Sequence, residues 1–184
     1  MTLTYKSMED KYLLPALDLV QTVFTEHENA DEGKLVRRLV EEIRSMTSYI
    51  PALELIAVNE EDEVVGYAMM SGFHLNGNYK DRLLLLSPVC VKTALQRRHI
   101  SKNLLEYGFK RATEAGYEAV IVEGNPANYR SRGFVTSADH GILPGKTVHL
   151  PAIECLMVKP LKEGALQSIK GEVEYSDYKV LTES

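Results

Sequence analysis

Cysteine is scarce in this chain: Cys90 and Cys155 are the only two. They form no C-x-x-C and no metal-ligand spacing, so neither a zinc nor an iron–sulfur framework is expected, and no metal. Each sits in a strongly apolar run and reads as a reduced, buried thiol, not a nucleophile. Long hydrophobic runs are missing too. No stretch approaches the ~20 residues of a membrane span, and the opening MTLTYKSMED holds no apolar core of signal-peptide length. Positive charge is in short supply. With 21 Lys and Arg against 26 Asp and Glu, the net charge of −5 argues against nucleic acid or an anionic membrane as the main partner. No repeat, low-complexity tract or linker divides the chain. The expectation is one cytoplasmic domain over residues 1–184, large enough to bury roughly 70% of the surface its unfolded form exposes.

What is present alternates between two periods. TLTY reads as a short first strand. From Asp10 to Phe24, Leu13, Leu17, Val20 and Phe24 recur at helical spacing, with Pro15 in the first turn, where it is tolerated. Leu35, Leu39 and Ile43 repeat the pattern behind Asp31 and Glu32, acidic residues that suit a helix N-terminus. LELIAV (53–58) and EVVGYAMMSGF (63–73) flank an acidic turn and read as an antiparallel hairpin. RLLLLSPVCV (82–91) is a third apolar strand. Pro88 interrupts it and, lacking an N–H, marks an edge, a bulge or a splay.

A helix follows from Arg98 to Ala115, with Ile100, Leu104, Gly108 and Ala112 on one stripe beside Leu105 and Phe109, and Gly116 ends it. YEAVIVEG returns as a buried strand, and NPANYRSRGF holds a short helix before Phe134. Residues 135–152 read as loop with short strands, AIECLMVK (152–159) as a late strand and GEVEYSDYKV (171–180) as a terminal one. The fold class is mixed α/β (α+β), with a mostly antiparallel front half and a strand–helix–strand unit in the middle.

That middle unit carries the chemistry. In TALQRRHISKNLLEYG (93–108) a strand leads through a tight turn into a helix N-terminus, where unpaired N–H groups and the helix dipole favour an anion. Arg97, Arg98 and Lys102 add positive charge there. Glycine, the usual residue of phosphate-gripping turns, is absent from the turn itself, and His99 and Ser101 stand in its place. On residue type alone the stretch is either an anion site or a solvated basic face.

VCVKTALQRRHISKNLLEYGFKRATEAGYEAVIVEGNPANYRSRGF resembles the acetyl-CoA-binding half of the GNAT superfamily of acyl-CoA-dependent N-acetyltransferases. The family pattern V-x-P-x-x-Q/R-x-x-G-x-G/A is met at Val91, Gln96 and Ile100. Thr93 replaces the proline, His99 the first glycine and Ser101 the second small residue. Asn125 and Ala127 are similar to the N-x-x-A region in contracted form, and Tyr129 to Phe134 fits the Y-x-x-x-G-F ending. LIAVNEEDEVVGYAMMSG is similar to the hairpin that precedes the cofactor strand. VRRLVEEIRS and the C-terminal stretch from Cys155 resemble a bacterial subgroup of small members.

The resemblance implies a GNAT-like sheet flanked by helices, with acetyl-CoA as co-substrate. The strand at Val89, Cys90 and Val91 splays from that near Val120–Glu123, and the pantetheine arm lies in the gap. An N–H near Val91 polarises the thioester. Gln96, Arg97, Arg98, His99, Ile100, Ser101 and Lys102 form the pyrophosphate turn. Tyr129 is the candidate general acid for the departing thiolate. Asn125 either caps the short helix or touches the cofactor arm. The base is left open among Glu54, His74, Glu123, His140 and water. The expected activity is direct acetyl transfer to a primary amine of a small molecule or protein, and a homodimer is left open. The alternative is a non-catalytic acyl-CoA-binding sensor, because side chains at 99 and 101 occupy a place where backbone must approach phosphate.

Overall fold

The two early apolar stripes fold as helices α1 (Leu13–His27) and α2 (Ala30–Arg44) in a computed structural model that describes residues 1–183. The first helix starts later than its spacing suggests, because Asp10–Tyr12 is a 3-10 turn. The second opens on Asn29, whose side chain accepts from the Glu32 N–H at 2.8 Å, ahead of Asp31 and Glu32 in the first turn. The strands are β1 (Thr4–Ser7), β2 (Glu54–Val58), β3 (Val64–Leu75), β4 (Asn78–Val91), β5 (Ala119–Glu123), β6 (Val135–Thr136), β7 (Ile142–Pro144), β8 (Leu156–Pro160) and β9 (Gly171–Val173). Helix α3 (Ile100–Glu114) follows β4; three single-turn helices, α4 (Pro126–Tyr129), α5 (Ala165–Ser168) and α6 (Lys179–Thr182), lie beyond β5. Seven strands make one mostly antiparallel sheet in the order β1-β2-β3-β4-β5-β8-β6, and β7 pairs β9 in a second, parallel sheet.

The chain divides into two compact units, the first comprising residues 1–71 and 87–111. Here β2 pairs antiparallel with both β1 and β3. The expected α3 stripe is the buried one: Ile100, Leu104, Leu105 and Phe109 are covered in this unit, and Ala112, the first α3 residue of the second unit, is covered too. Gly108 lets the helix approach the strands, since a Cβ there would meet Leu55 and lie 2.7 Å from the Met70 methyl. At the helix start, Ile100 joins Ala57, Val65 and Val91 in a small apolar cluster against which Leu3, Tyr5 and Leu95 pack.

This unit also buries a charge. Glu54 has no exposed surface, and its carboxylate accepts from Tyr49 Oη at 2.6 Å, Tyr67 Oη at 2.7 Å and the Arg44 guanidinium. A buried carboxylate is tolerated only when paired in this way. Burial, together with the neighbouring carboxylate, holds both phenols above their ordinary range.

The second unit comprises residues 72–86 and 112–184. The turn between β3 and β4 is Asn76-Gly77, both with positive φ, the geometry of a two-residue hairpin loop that Asn-Gly favours. Strand β4 therefore begins at Asn78, earlier than the apolar run alone implies. On one side β5 pairs parallel with β4 over three residues, from Leu83↔Ala119 to Leu85↔Ile121. On the other it pairs antiparallel with β8 over all five, to Glu123↔Leu156. The late strand is thus β8, starting four residues after Ala152, with a 3-10 turn at Ile153–Cys155 before it. Cys90 is buried as expected; Cys155, at the end of that turn, is only partly covered.

Alternation in GEVEYSDYKV does not yield a strand through residue 180. β9 stops at Val173 because the next side chains are drawn to distant partners. The Glu174 carboxylate accepts from the N–H groups of Lys146 at 2.7 Å and Thr147 at 3.0 Å and from the Thr147 hydroxyl. These bonds hold it below the usual carboxylate range. Tyr175 Oη donates to Glu123 at 2.9 Å.

Candidate active site

The turn from Lys92 to Lys102 lies within the first unit. Lys92 donates its N–H to Val65 O at 2.9 Å, and a 3-10 turn over Thr93–Leu95 follows. Leu95 and Ile100 point into the apolar cluster and anchor the two ends. Between them Arg97 takes φ +64° and His99 φ +62°. These are left-handed conformations that glycine supplies without strain and other residues reach at a cost of about 1–2 kcal/mol. His is among the side chains that tolerate this region best; Arg has no such aptitude. The His99 carbonyl accepts the Asn103 N–H at 3.0 Å, so α3 starts directly after it. A helix start of this kind orients main-chain N–H groups towards its N-terminal end, and the dipole adds partial positive charge there.

The glycine-poor sequence thus adopts a glycine-like main chain. Arg97, Arg98 and His99 are exposed around it, and Lys102 Nζ lies 4.0 Å from Glu106, one turn on. Gln96 is exposed as well, and its amide nitrogen is 3.2 Å from Val91 O and 3.0 Å from His27 Nε2. No local pattern in the sequence links His27, at the C-terminus of α1, to Gln96, 69 residues away. The main chain of Val89, Cys90 and Val91 forms the end of β4 that enters this turn.

Tyr129 belongs to the second unit, where it ends α4. Asn125 caps that helix, its side chain accepting from the Ala127 N–H at 3.0 Å, with Pro126 at the first helical position. The chain then reverses at Gly133, φ +89°, and brings Phe134 edge-to-face against the Tyr129 ring at 5.5 Å. The Y-x-x-x-G-F spacing is therefore a packing unit. A tyrosine is seated by a phenylalanine, and the glycine between them makes the turn. The ring also lies close to Gly124, where a Cβ would be 2.7 Å from Tyr129 Cε2. Burial raises the phenol above its ordinary 10.0, with Arg132 pulling the other way.

The four base candidates occupy separate surroundings. Glu54 is consumed by its buried network. His74 accepts the Gly77 N–H on Nδ1 at 2.8 Å, which places its proton on Nε2, 2.6 Å from Asp177 Oδ2. Neither ring nitrogen has a lone pair left for a substrate proton. Glu123, exposed at the end of β5, holds Tyr175 through Oε1. His140 ends a 3-10 turn, and its carbonyl accepts from Lys170 Nζ at 2.7 Å. Among the described residues no cluster of His, Cys, Asp and Glu could hold a metal, and no helix is long and apolar enough to cross a membrane.

The chain is similar to an uncharacterised N-acetyltransferase, YhbS, of Escherichia coli (strain K12), with 28% identity over 152 residues, 82% of this chain and 84% of the relative. The fold matches a crystal structure of YhbS from Escherichia coli in complex with CoA, at a TM-score of 0.83 and 22% identity, covering 98% of this chain and 92% of that one. It also matches a GNAT family acetyltransferase from Brucella melitensis in complex with acetyl-CoA, at a TM-score of 0.68 and 20% identity, over 95% and 96% of the two chains. The model of the acetyltransferase (GNAT) family matches residues 18–138, a span that includes the turn at Gln96–Ser101 and the Tyr129–Phe134 unit. The chain belongs to that family of acetyltransferases.

Proposed function

We propose that this chain, as one acetyltransferase domain acting in the cytoplasm, moves an acetyl group from acetyl-CoA to a primary amine of a small molecule or protein. Bound acetyl-CoA supplies a thioester whose carbonyl carbon the amine nitrogen attacks directly, the C–S bond breaking as the C–N bond forms and the nitrogen giving up its proton to water. The observation that carries the reading is the turn from Gln96 to Ser101, which takes left-handed, glycine-like conformations at Arg97 and His99 although its glycines are gone. What binds pyrophosphate there is backbone N–H from Arg97 to Lys102, and His99 and Ser101 retain theirs. Arg97 and Arg98 add exposed positive charge beside it. The main chain at Val89, Cys90 and Val91 lines the pantetheine arm, with an N–H near Val91 donating to the thioester oxygen.

Tyr129 is the proton donor to the departing sulfur. Burial raises its phenol above the ordinary 10.0, which favours the protonated form that can donate, and Phe134 and Gly124 seat its ring. Asn125 acts through its cap, which sets the start of α4. Calorimetric titration with acetyl-CoA, followed by thiol release in the presence of a panel of amines, tests the reading. Binding with acetyl-CoA-dependent thiol release supports an enzyme. Binding without release for any amine points to the sensor, and no binding at millimolar acetyl-CoA removes both.

A further inference from the structure

The left-handed residues Arg97 and His99 make the turn a place of stored strain, and such conformations persist only where the surroundings over-determine them. Leu95 and Ile100 hold it from the core side. From the solvent side it is reached by α1. The Gln96 amide nitrogen stands between two atoms, Val91 O at 3.2 Å and His27 Nε2 at 3.0 Å. A carbonyl can only accept, so Val91 O fixes which end of the Gln96 amide faces it. The same nitrogen then directs its second hydrogen at His27, whose Nε2 must present a lone pair, with the ring proton on Nδ1. Thr93 Oγ1 also faces Nε2, but at 3.5 Å it contributes little. Both amide hydrogens are used, one on the end of β4 and one on the end of α1.

We propose that His27 is a positioning residue for the cofactor turn. It holds the Gln96 amide against the Val91 carbonyl and so keeps Arg97–Ser101 in the conformation that receives the pyrophosphate. The proposal rests on the acetyl-CoA reading above. His27 itself need not touch the ligand. It acts by lowering the cost of ordering a strained turn, which shows in affinity.

The test is CoA titration by calorimetry on the full chain and its variants. His27→Ala, which leaves the Gln96 amide without its second acceptor, is expected to weaken CoA binding about 5-fold, the worth of one ordinary hydrogen bond. His27→Gln places Oε1 as many bonds from Cα as Nε2 of the imidazole and is expected to restore affinity to within about 2-fold of the unaltered chain. In a Gln96→Ala background, His27→Ala is expected to cost nothing further, because the two residues act as one link. Three results would overturn the proposal while leaving acetyl-CoA binding intact: His27→Ala binding as the unaltered chain does, His27→Gln binding as weakly as His27→Ala, or the two losses simply multiplying. An unaltered chain that binds no CoA overturns the acetyl-CoA reading and this inference with it.

Discussion

The turn at Gln96–Ser101 and the seat of Tyr129 solve different problems with different parts of the chain. In the turn the working groups proposed are main-chain N–H, which every residue but proline carries. Side chains there need only permit the conformation, so His99 and Ser101 can stand where the family has glycine. At Tyr129 the working group proposed is one hydroxyl, and the residues around it have to seat that ring. Phe134 packs edge-to-face against it, and Gly124, with no Cβ, leaves it room. A main-chain site tolerates sequence drift that a side-chain site does not. The sequence shows this asymmetry: the turn departs from its family pattern at three positions, Thr93, His99 and Ser101, while Y-x-x-x-G-F is intact.

The largest expected effect is at the side-chain site. Tyr129→Phe keeps the ring and its packing but removes the proton, so turnover should fall about 10²-fold or more with acetyl-CoA affinity unchanged. Loss of affinity with turnover preserved would make it a binding residue instead. The sign of its pH dependence follows from the raised phenol. A tyrosine whose pKa lies above 10.0 keeps its proton to higher pH, so turnover between pH 7 and 10 should show no decline that Tyr129→Phe abolishes. Next comes Gly124→Ala. A methyl against Cε2 must shift the ring, and turnover should fall about 10-fold while thermal unfolding shows a folded chain.

Effects at the main-chain site are smaller and appear as affinity. Replacing Arg97 and Arg98 together by alanine should weaken CoA binding about 5–10-fold and leave pantetheine unchanged, since each exposed charge is worth under about 1 kcal/mol. Added salt should reproduce part of that loss. The smallest effect is His99→Gly. Glycine relieves the left-handed strain but loses more chain entropy on folding, so CoA affinity should stay within about 3-fold. A collapse of binding in His99→Gly would mean that the imidazole itself contacts the ligand, and the contrast between the two sites would fail.

Local signals were legible in the sequence and long-range ones were not. The α3 stripe, its end at Gly116 and the entry at Asn125-Pro126 are set by neighbours a few residues apart, and all lie where the spacing puts them. The Asn76-Gly77 turn was equally legible. The expectation misses it by ending one strand at Phe73 and opening the next at Arg82, weighing apolar runs above turn chemistry. The run from 171 to 180 alternates like a strand and yields three strand residues, because Glu174 and Tyr175 bond to groups 28 and 52 residues away. Glu54 looked like a possible base by type. Only its fold neighbours Arg44, Tyr49 and Tyr67 reveal a buried structural carboxylate. The grip of His27 on Gln96 is tertiary in the same sense.

The central claim is that main-chain N–H groups of the turn receive the pyrophosphate although its glycines are missing. Backbone amide chemical shifts, followed by nitrogen–proton NMR during titration with CoA and separately with pantetheine, test it most directly. The account predicts that amides from Arg97 to Lys102 move with CoA and stay still with pantetheine, in His99→Gly as in the unaltered chain. CoA binding that shifts amides elsewhere and leaves those six unmoved would contradict it.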